Sequence, residues 1–173
     1  MSATAASLFL RFSVTKLEQL TGRITVCLGR LDDEQIWLRA HETNNAVGNL
    51  VLHLAGNVRQ WILSGVAGKP DVRVRDREFS ARGGMSGAEL AERLRATVEE
   101  ACAAIRAIPP ERLAESITVQ KYQVSVLEAV YHVVEHFAQH AGQILFATKQ
   151  LTGADLGFYR HLPAAAPPKD PTP

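Results

Sequence analysis

Cysteine is scarce. Cys27 and Cys102 are the only two among 173 residues, and they lie far apart in sequence. Neither belongs to a Cys-x-x-Cys pair, which argues against a disulfide framework or a thiolate metal site. Each sits inside an apolar helical pattern, where a free thiol acts as a small hydrophobe, and such usage fits a reducing cytoplasm. An excess of charge is missing too. Nineteen Lys and Arg against 18 Asp and Glu leave a formal net charge of +1. The basic residues are spread along the chain, so no electrostatic footprint for nucleic acid is present. No stretch approaches the roughly 18 uncharged apolar residues of a membrane span. The short apolar run at Leu8–Leu10 has no basic segment before it and does not read as a signal peptide. These absences describe a cytoplasmic protein with no nucleic-acid or membrane partner. There are no internal repeats.

What is present is helical. A hydrophobic share of 46% over 173 residues suffices for one domain with a sizeable core. From about Ala5 to Leu31, the residues Leu8, Phe12, Leu17, Leu20, Ile24, Cys27, Leu28 and Leu31 recur at helical spacing and predict a first long helix. Asp32 and Asp33 begin a break. Asn44 or Asn45 then serves as the expected N-cap of a second helix, Ala46 to Ser64, whose core stripe is Leu50, Leu54, Val58, Trp61 and Ile62. His53, Asn57, Gln60 and Ser64 fall on one flank of that stripe. Gly65 to Met85 reads as a non-helical connection, longer than the roughly two to eight residues that join neighbouring helices in a bundle. It either crosses the bundle end or forms a functional loop.

Ser86 with Glu89 forms a capping box that opens a third helix through Leu90, Leu94, Val98, Cys102 and Ile105, ended by Pro109 and Pro110. An irregular segment follows, with a short extended piece at Ile117 to Val119. Ser125 with Glu128 opens a fourth helix, Val126 to Leu151, and Gly153 stops it. The segment from His161 to Pro173 is Pro- and Ala-rich and is expected to be a disordered tail, leaving residues 1–160 as the folded unit. The expected class is all-α, a four-helix bundle with no convincing sheet.

The fourth helix carries His132, His136 and His140 at four-residue spacing. Its buried stripe is Val130, Val133, Phe137, Ala141, Ile144 and Thr148. At about 100° per residue, His140 lies beside that stripe, His136 about 40° further out, and His132 about 40° beyond that, toward solvent. Two imidazoles at i,i+4 can meet one ion. A third ligand must come from another helix, and His53 alone among the remaining histidines lies in a helical core pattern; His41 and His161 fall in loop or tail. Three neutral imidazoles on a divalent ion leave coordination positions open, as in catalytic rather than structural sites. The opposing account is a set of half-buried histidines bonded to one another and to backbone. A ligating imidazole needs an acceptor for its second nitrogen. Asn57, one turn after His53, is best placed by angle; Gln60, Gln143 and His132 are further candidates, and Glu135 points away. Arg75, Asp76 and Glu78 on the connection are within reach of the site or of helix ends.

The segment HFAQHAGQI, the pattern LxHLxGN around His53, and the stretches GKPDVRVRDREF and LTGADLGFY resemble the DinB/YfiT-like superfamily of bacterial metal-binding four-helix bundles. The last two resemble an uncharacterised branch of it, a domain of unknown function. The resemblance covers the chain from the first helix to about Tyr159. It implies an up-down-down-up bundle with a long crossover between helices two and three. It also implies a metal, typically nickel or zinc, held by His53, His136 and His140, with His132 extra to the motif. Some relatives are thiol S-transferases using low-molecular-weight thiols, some are isomerases, many have no known activity, and many are dimers. The expected function is thus a divalent-metal-dependent transferase or hydrolase acting on small electrophiles. The alternative is a metal- or ligand-binding stress-response protein without turnover. No residue is singled out as a catalytic base, because fold and metal do not fix a reaction.

Overall fold

The computed structural model describes residues 4–162. From residue 163 on, the expected tail lies outside the described residues. Helix α1 spans Ala5–Leu28 and is capped by Thr4, whose side chain accepts from the Ser7 N–H. Its buried face is Leu10, Val14, Leu17, Ile24, Cys27 and Leu28. Leu8 and Phe12, expected in the core, are exposed. Leu8 lies about 180° from Leu17 around the axis, so the two cannot share a face. The helix ends at Leu28, short of the expected Leu31, and Asp32 caps a short helix, α2 (Asp33–Trp37), which is missing from the sequence reading.

Helix α3 spans Val47–Val58, and its backbone continues through Arg59–Val66 in wider turns. Neither Asn44 nor Asn45 caps it. The Asn49 side chain reaches back from the first turn to accept the Ala46 N–H at 3.1 Å. The same carboxamide donates to the carbonyls of Glu78 (2.8 Å) and Ala81 (3.0 Å). Those bonds pin helix α4 (Arg75–Ser80) to α3. The connection expected to be non-helical therefore contains a helical turn and a half, anchored by a fully buried asparagine.

Helices α5 (Gly87–Arg106) and α6 (Val126–Thr152) begin at the two expected capping boxes, and Gly153 ends α6 with φ +64°. Every apolar residue assigned to the core stripes of α3, α5 and α6 is buried. Helix α1 packs on α5 and α6, and α3 packs on the same two. The four long helices thus enclose one core. After α6, Phe158 and Tyr159 fold back under the Arg23 guanidinium, at 5.3 and 5.2 Å from the ring centres.

One correction concerns the sheet. Strands β1 (Ser116–Val119) and β2 (Tyr122–Ser125) form an antiparallel hairpin in which Ile117 faces Val124 and Val119 faces Tyr122. The extended piece at Ile117 to Val119 is there, and it has a partner. Gln120 and Lys121 make the turn with φ of 51° and 73°. Both are in the left-handed region without being glycine, as a tight two-residue hairpin demands. Val119 packs against α3 where a Cβ on Gly65 would come within 2.4 Å of its side chain. Gly65 thereby lets the hairpin close one side of the space above α3 and α6.

Candidate metal centre

Helical spacing puts His136 and His140 on one side of α6, and the α3–α6 contact brings His53 across from them. His136 Nε2 lies 3.1 Å from His53 Nε2 and 3.2 Å from His140 Nε2. All three ligand atoms fall within 4.8 Å of one another. Nitrogens about 2.1 Å from a shared ion would be roughly 3.0 Å apart in an octahedral face and 3.4 Å apart in a tetrahedron. The two separations from His136 lie between those two values. The residues present fit a divalent ion.

The outward nitrogens decide what the inward ones carry. His140 Nδ1 is 2.7 Å from Gln143 Oε1 and donates to it. His53 Nδ1 is 3.0 Å from Glu78 Oε2. The Arg73 guanidinium also lies 3.0 Å from that Nδ1, but the same Nη2 donates to Glu78 Oε2 at 2.8 Å. The ring nitrogen is left as donor to the carboxylate. With Nδ1 protonated on His53 and His140, their Nε2 atoms present bare lone pairs to a common point. His136 has no such outward partner, since its Nδ1 makes no hydrogen bond; either its Nε2 carries a proton shared with one neighbour, or a cation takes that place.

Glu78 comes from α4 and is a predicted loop candidate; Arg73 is not anticipated by the sequence reading. Arg73 donates to both Glu78 oxygens and to Gln60 Oε1 (2.7, 2.8 and 2.8 Å). The ion pair seats against α3 because residue 56 is glycine. A Cβ there would stand 2.0 Å from Glu78 Oε1 and 2.9 Å from Arg73 Nε. Gly56→Ala is therefore expected to lower stability by about 1–3 kcal/mol through overpacking and to weaken divalent-metal binding with it. At an unconstrained helical site the same change would stabilise by up to about 1 kcal/mol. Thermal melts with and without added zinc read the sign directly.

Burial holds the His136 imidazole down at about 3, with the neighbouring His140 and His53 adding to the shift. His140 is lowered mainly by burial, against the bond to Gln143, and His132 is lowered by burial. Burial alone would raise the Glu78 carboxyl, but hydrogen bonds from Arg73 and His53 outweigh it and keep Glu78 ionised. A histidine depressed in the fold stays neutral there while the unfolded chain takes up a proton near pH 6.5. The stability it contributes is present above pH 6.5 and lost as pH falls toward 3. Metal-free protein should lose up to about 1.4 kcal/mol per pH unit from His136 over that window. Urea unfolding at stepped pH measures the slope, and His136→Gln should flatten it.

The other predicted residues fall as follows. His132 is half-buried rather than turned to solvent, its ring 4.1 Å from the Trp61 indole and 5.5 Å from His136, outside the converging set. Its angle on α6 is the expected one; a residue of α3 covers it, which the pattern of one helix does not reveal. Asn57 is buried beside the site, but its Oδ1 makes no hydrogen bond and Glu78 takes the role expected of it. Arg75 lies over the Phe79 ring, 4.8 Å from its centre, and Phe79 in turn covers His53 at 4.7 Å. Asp76 is exposed, and Glu135 bonds Gln139 on the surface of α6. A pocket of about 510 Å³ opens beside the triad, lined by His53 and His136 on one side and by Gln120, Tyr122, Gln123 and Val124 of the hairpin on the other.

No helix among the described residues is long and apolar enough to cross a membrane. No curated protein sequence matches the chain. A solved structure described as a conserved protein of locus from Enterococcus faecalis superposes with a TM-score of 0.68 at 16% identity, covering 83% of this chain and 97% of that one. At that identity the likeness concerns the fold. A family model matches residues 4–161, and the chain belongs to the family described as Protein of unknown function (DUF1572).

Proposed function

We propose that His53, His136 and His140 hold one divalent ion, nickel or zinc, and that the protein is a metal-dependent transferase or hydrolase of the DinB/YfiT-like kind. The observation that carries this reading is the convergence of three Nε2 atoms whose partner nitrogens, on His53 and His140, are tied up by Glu78 and Gln143. On this reading the ring of α1, α5, α3 and α6 is an up-down-down-up four-helix bundle, and the connection carrying α4 is its crossover. The same kinship carries the expectation of a homodimer and of a low-molecular-weight thiol as co-substrate.

The ion would supply a Lewis acid that favours the anionic form of a thiol or water at neutral pH. Glu78 fixes the His53 tautomer and ring orientation, and Arg73 fixes Glu78. Gln143 does the same for His140. The hairpin and Trp61 wall off the pocket in which a small electrophile would lie. No free carboxylate lines that pocket, and the His132 imidazole on its lining packs against Trp61. Glu128 is the one acid on its lining, and it accepts from the Ser125 N–H and hydroxyl at 2.7 Å each. That commitment favours, as a second reading, a site that binds metal and ligand without turnover.

Elemental analysis of purified protein should find about one divalent ion per chain, and a chelator should remove it and lower the melting temperature. Thiol conjugation to a small electrophile, assayed before and after chelation, separates the readings. Activity lost with the ion supports the enzyme. A retained ion with no conjugation supports the binding protein. A chain free of metal, with a melting temperature indifferent to chelator, would contradict both.

A further inference from the structure

The pocket beside the triad has a charge and a shape that the metal reading leaves unused. Two arginines line it. Arg73 is spent on Glu78. Arg75 makes no ion pair with any described residue; its guanidinium carbon stands 4.8 Å from the centre of the Phe79 ring, a cation–π contact that leaves its N–H groups free. A flat guanidinium with free edges matches a carboxylate through two parallel hydrogen bonds. The only acid on the lining, Glu128, is held below the usual carboxylate range by its bonds to Ser125 and is turned to its own helix start. Three neutral imidazoles would, in addition, leave the charge of a divalent ion uncompensated.

Aromatic rings and one aliphatic side chain make up part of an otherwise polar lining. The Trp61 and His132 rings lie 4.1 Å apart, and Val124 and the Tyr122 ring come from the hairpin opposite. Tyr122 is 63% exposed, a large ring left open to water at the mouth of the pocket. Asn57 and Trp61 are only 4% and 5% exposed, yet Asn57 Oδ1 and Trp61 Nε1 have no hydrogen-bond partner. An unpaired buried polar atom costs about 1–3 kcal/mol. Both atoms are closed off by the surrounding side chains, so only a shift of the wall on binding would bring them to an occupant.

We infer that this pocket binds a small organic carboxylate with a flat, unsaturated or aromatic body, the carboxylate anchored by Arg75 and the body lying against the Trp61–His132 pair. The inference deepens the metal reading by naming the substrate class, and rests on it for the charge of the ion alone. Arg75 is then the residue that selects for charge, and the hairpin, through Tyr122, closes over the bound ring.

Trp61 reports occupancy. The chain has two tryptophans, and Trp37 lies elsewhere, its Nε1 donating to the Met85 carbonyl. In a Trp37→Phe background, zinc-loaded protein is titrated with benzoate and, separately, with benzamide, which has the same outline without the charge. Benzoate should change the Trp61 emission saturably, and benzamide should bind at least about tenfold more weakly. Arg75→Gln should weaken benzoate binding by about tenfold or more, the loss of a charge-assisted pair, while the zinc content by elemental analysis stays the same. Equal binding of the two probes, no binding of either, or benzoate binding indifferent to Arg75→Gln would overturn the inference. The two readings fail separately. Zinc-loaded protein without a preference for benzoate removes the carboxylate site and keeps the metal. Protein that takes up no zinc but still selects benzoate through Arg75 removes the metal and keeps the carboxylate site.

Discussion

The His53→Ala protein is expected to fold and to purify without the divalent ion retained by the natural chain. Two imidazoles remain on α6, but the converging set loses the member that closes it from α3. Folding survives because Glu78 keeps its partner: Arg73 donates to both of its oxygens whether or not His53 is present. The loss should show as missing ligand stabilisation, about 4 kcal/mol where the ion stands a thousandfold above its dissociation constant. His132→Ala is the control. It removes a ring that packs on Trp61 and lies outside the set, so the ion should stay. Melting curves with and without zinc, together with metal content, decide the matter for both variants. If His132→Ala sheds the ion while His53→Ala keeps it, the assignment of the third ligand is wrong.

The contrast between these two histidines shows what a sequence can and cannot reveal here. The apolar stripe of α6 ranks His140, His136 and His132 by distance from the core, because a helix has one period and no alternatives. The stripe of α3 places His53 on a buried flank for the same reason. No such period exists between Gly65 and Met85. There the conformation depends on Asn49 reaching out of α3 to hold α4, and on Gly56 leaving room for a carboxylate. Glu78 is recognisable only as one acid among several on a charged run, and Arg73 not at all. A retrospective signal exists: the glycine of LxHLxGN, one turn after His53, marks a close approach by another element. The second strand is hidden for a different reason. Tyr122 to Ser125 is four residues long and runs directly into the cap of α6, so the helix signal masks it. The turn between the strands carries Gln120 and Lys121 where glycine or asparagine would announce it.

Glu78→Gln is the second large effect. The Arg73 side chain is 3% exposed and that of Glu78 10%, so the pair is well removed from water. Deleting one charge leaves the other buried without compensation, at a cost of about 3–5 kcal/mol. Metal affinity should fall as well, by about 10–100-fold, because His53 loses the acceptor that fixes its tautomer. The two effects can be parted by a double substitution. Arg73→Met with Glu78→Gln removes the orphaned charge and should recover much of the stability while leaving metal affinity low. Urea unfolding of metal-free protein gives the first quantity, and zinc titration against a competing chelator gives the second. Recovery of affinity together with stability would mean that Glu78 acts on the fold alone and not on the imidazole.

The account turns on whether one cation sits where three Nε2 atoms converge. A crystal of the protein grown with zinc, with diffraction recorded on both sides of the zinc absorption edge, tests this directly. The predicted result is a single anomalous peak about 2.1 Å from the Nε2 atoms of His53, His136 and His140, with His53 Nδ1 still bonded to Glu78. A peak on His132, or no peak among these side chains in zinc-saturated crystals, would contradict it.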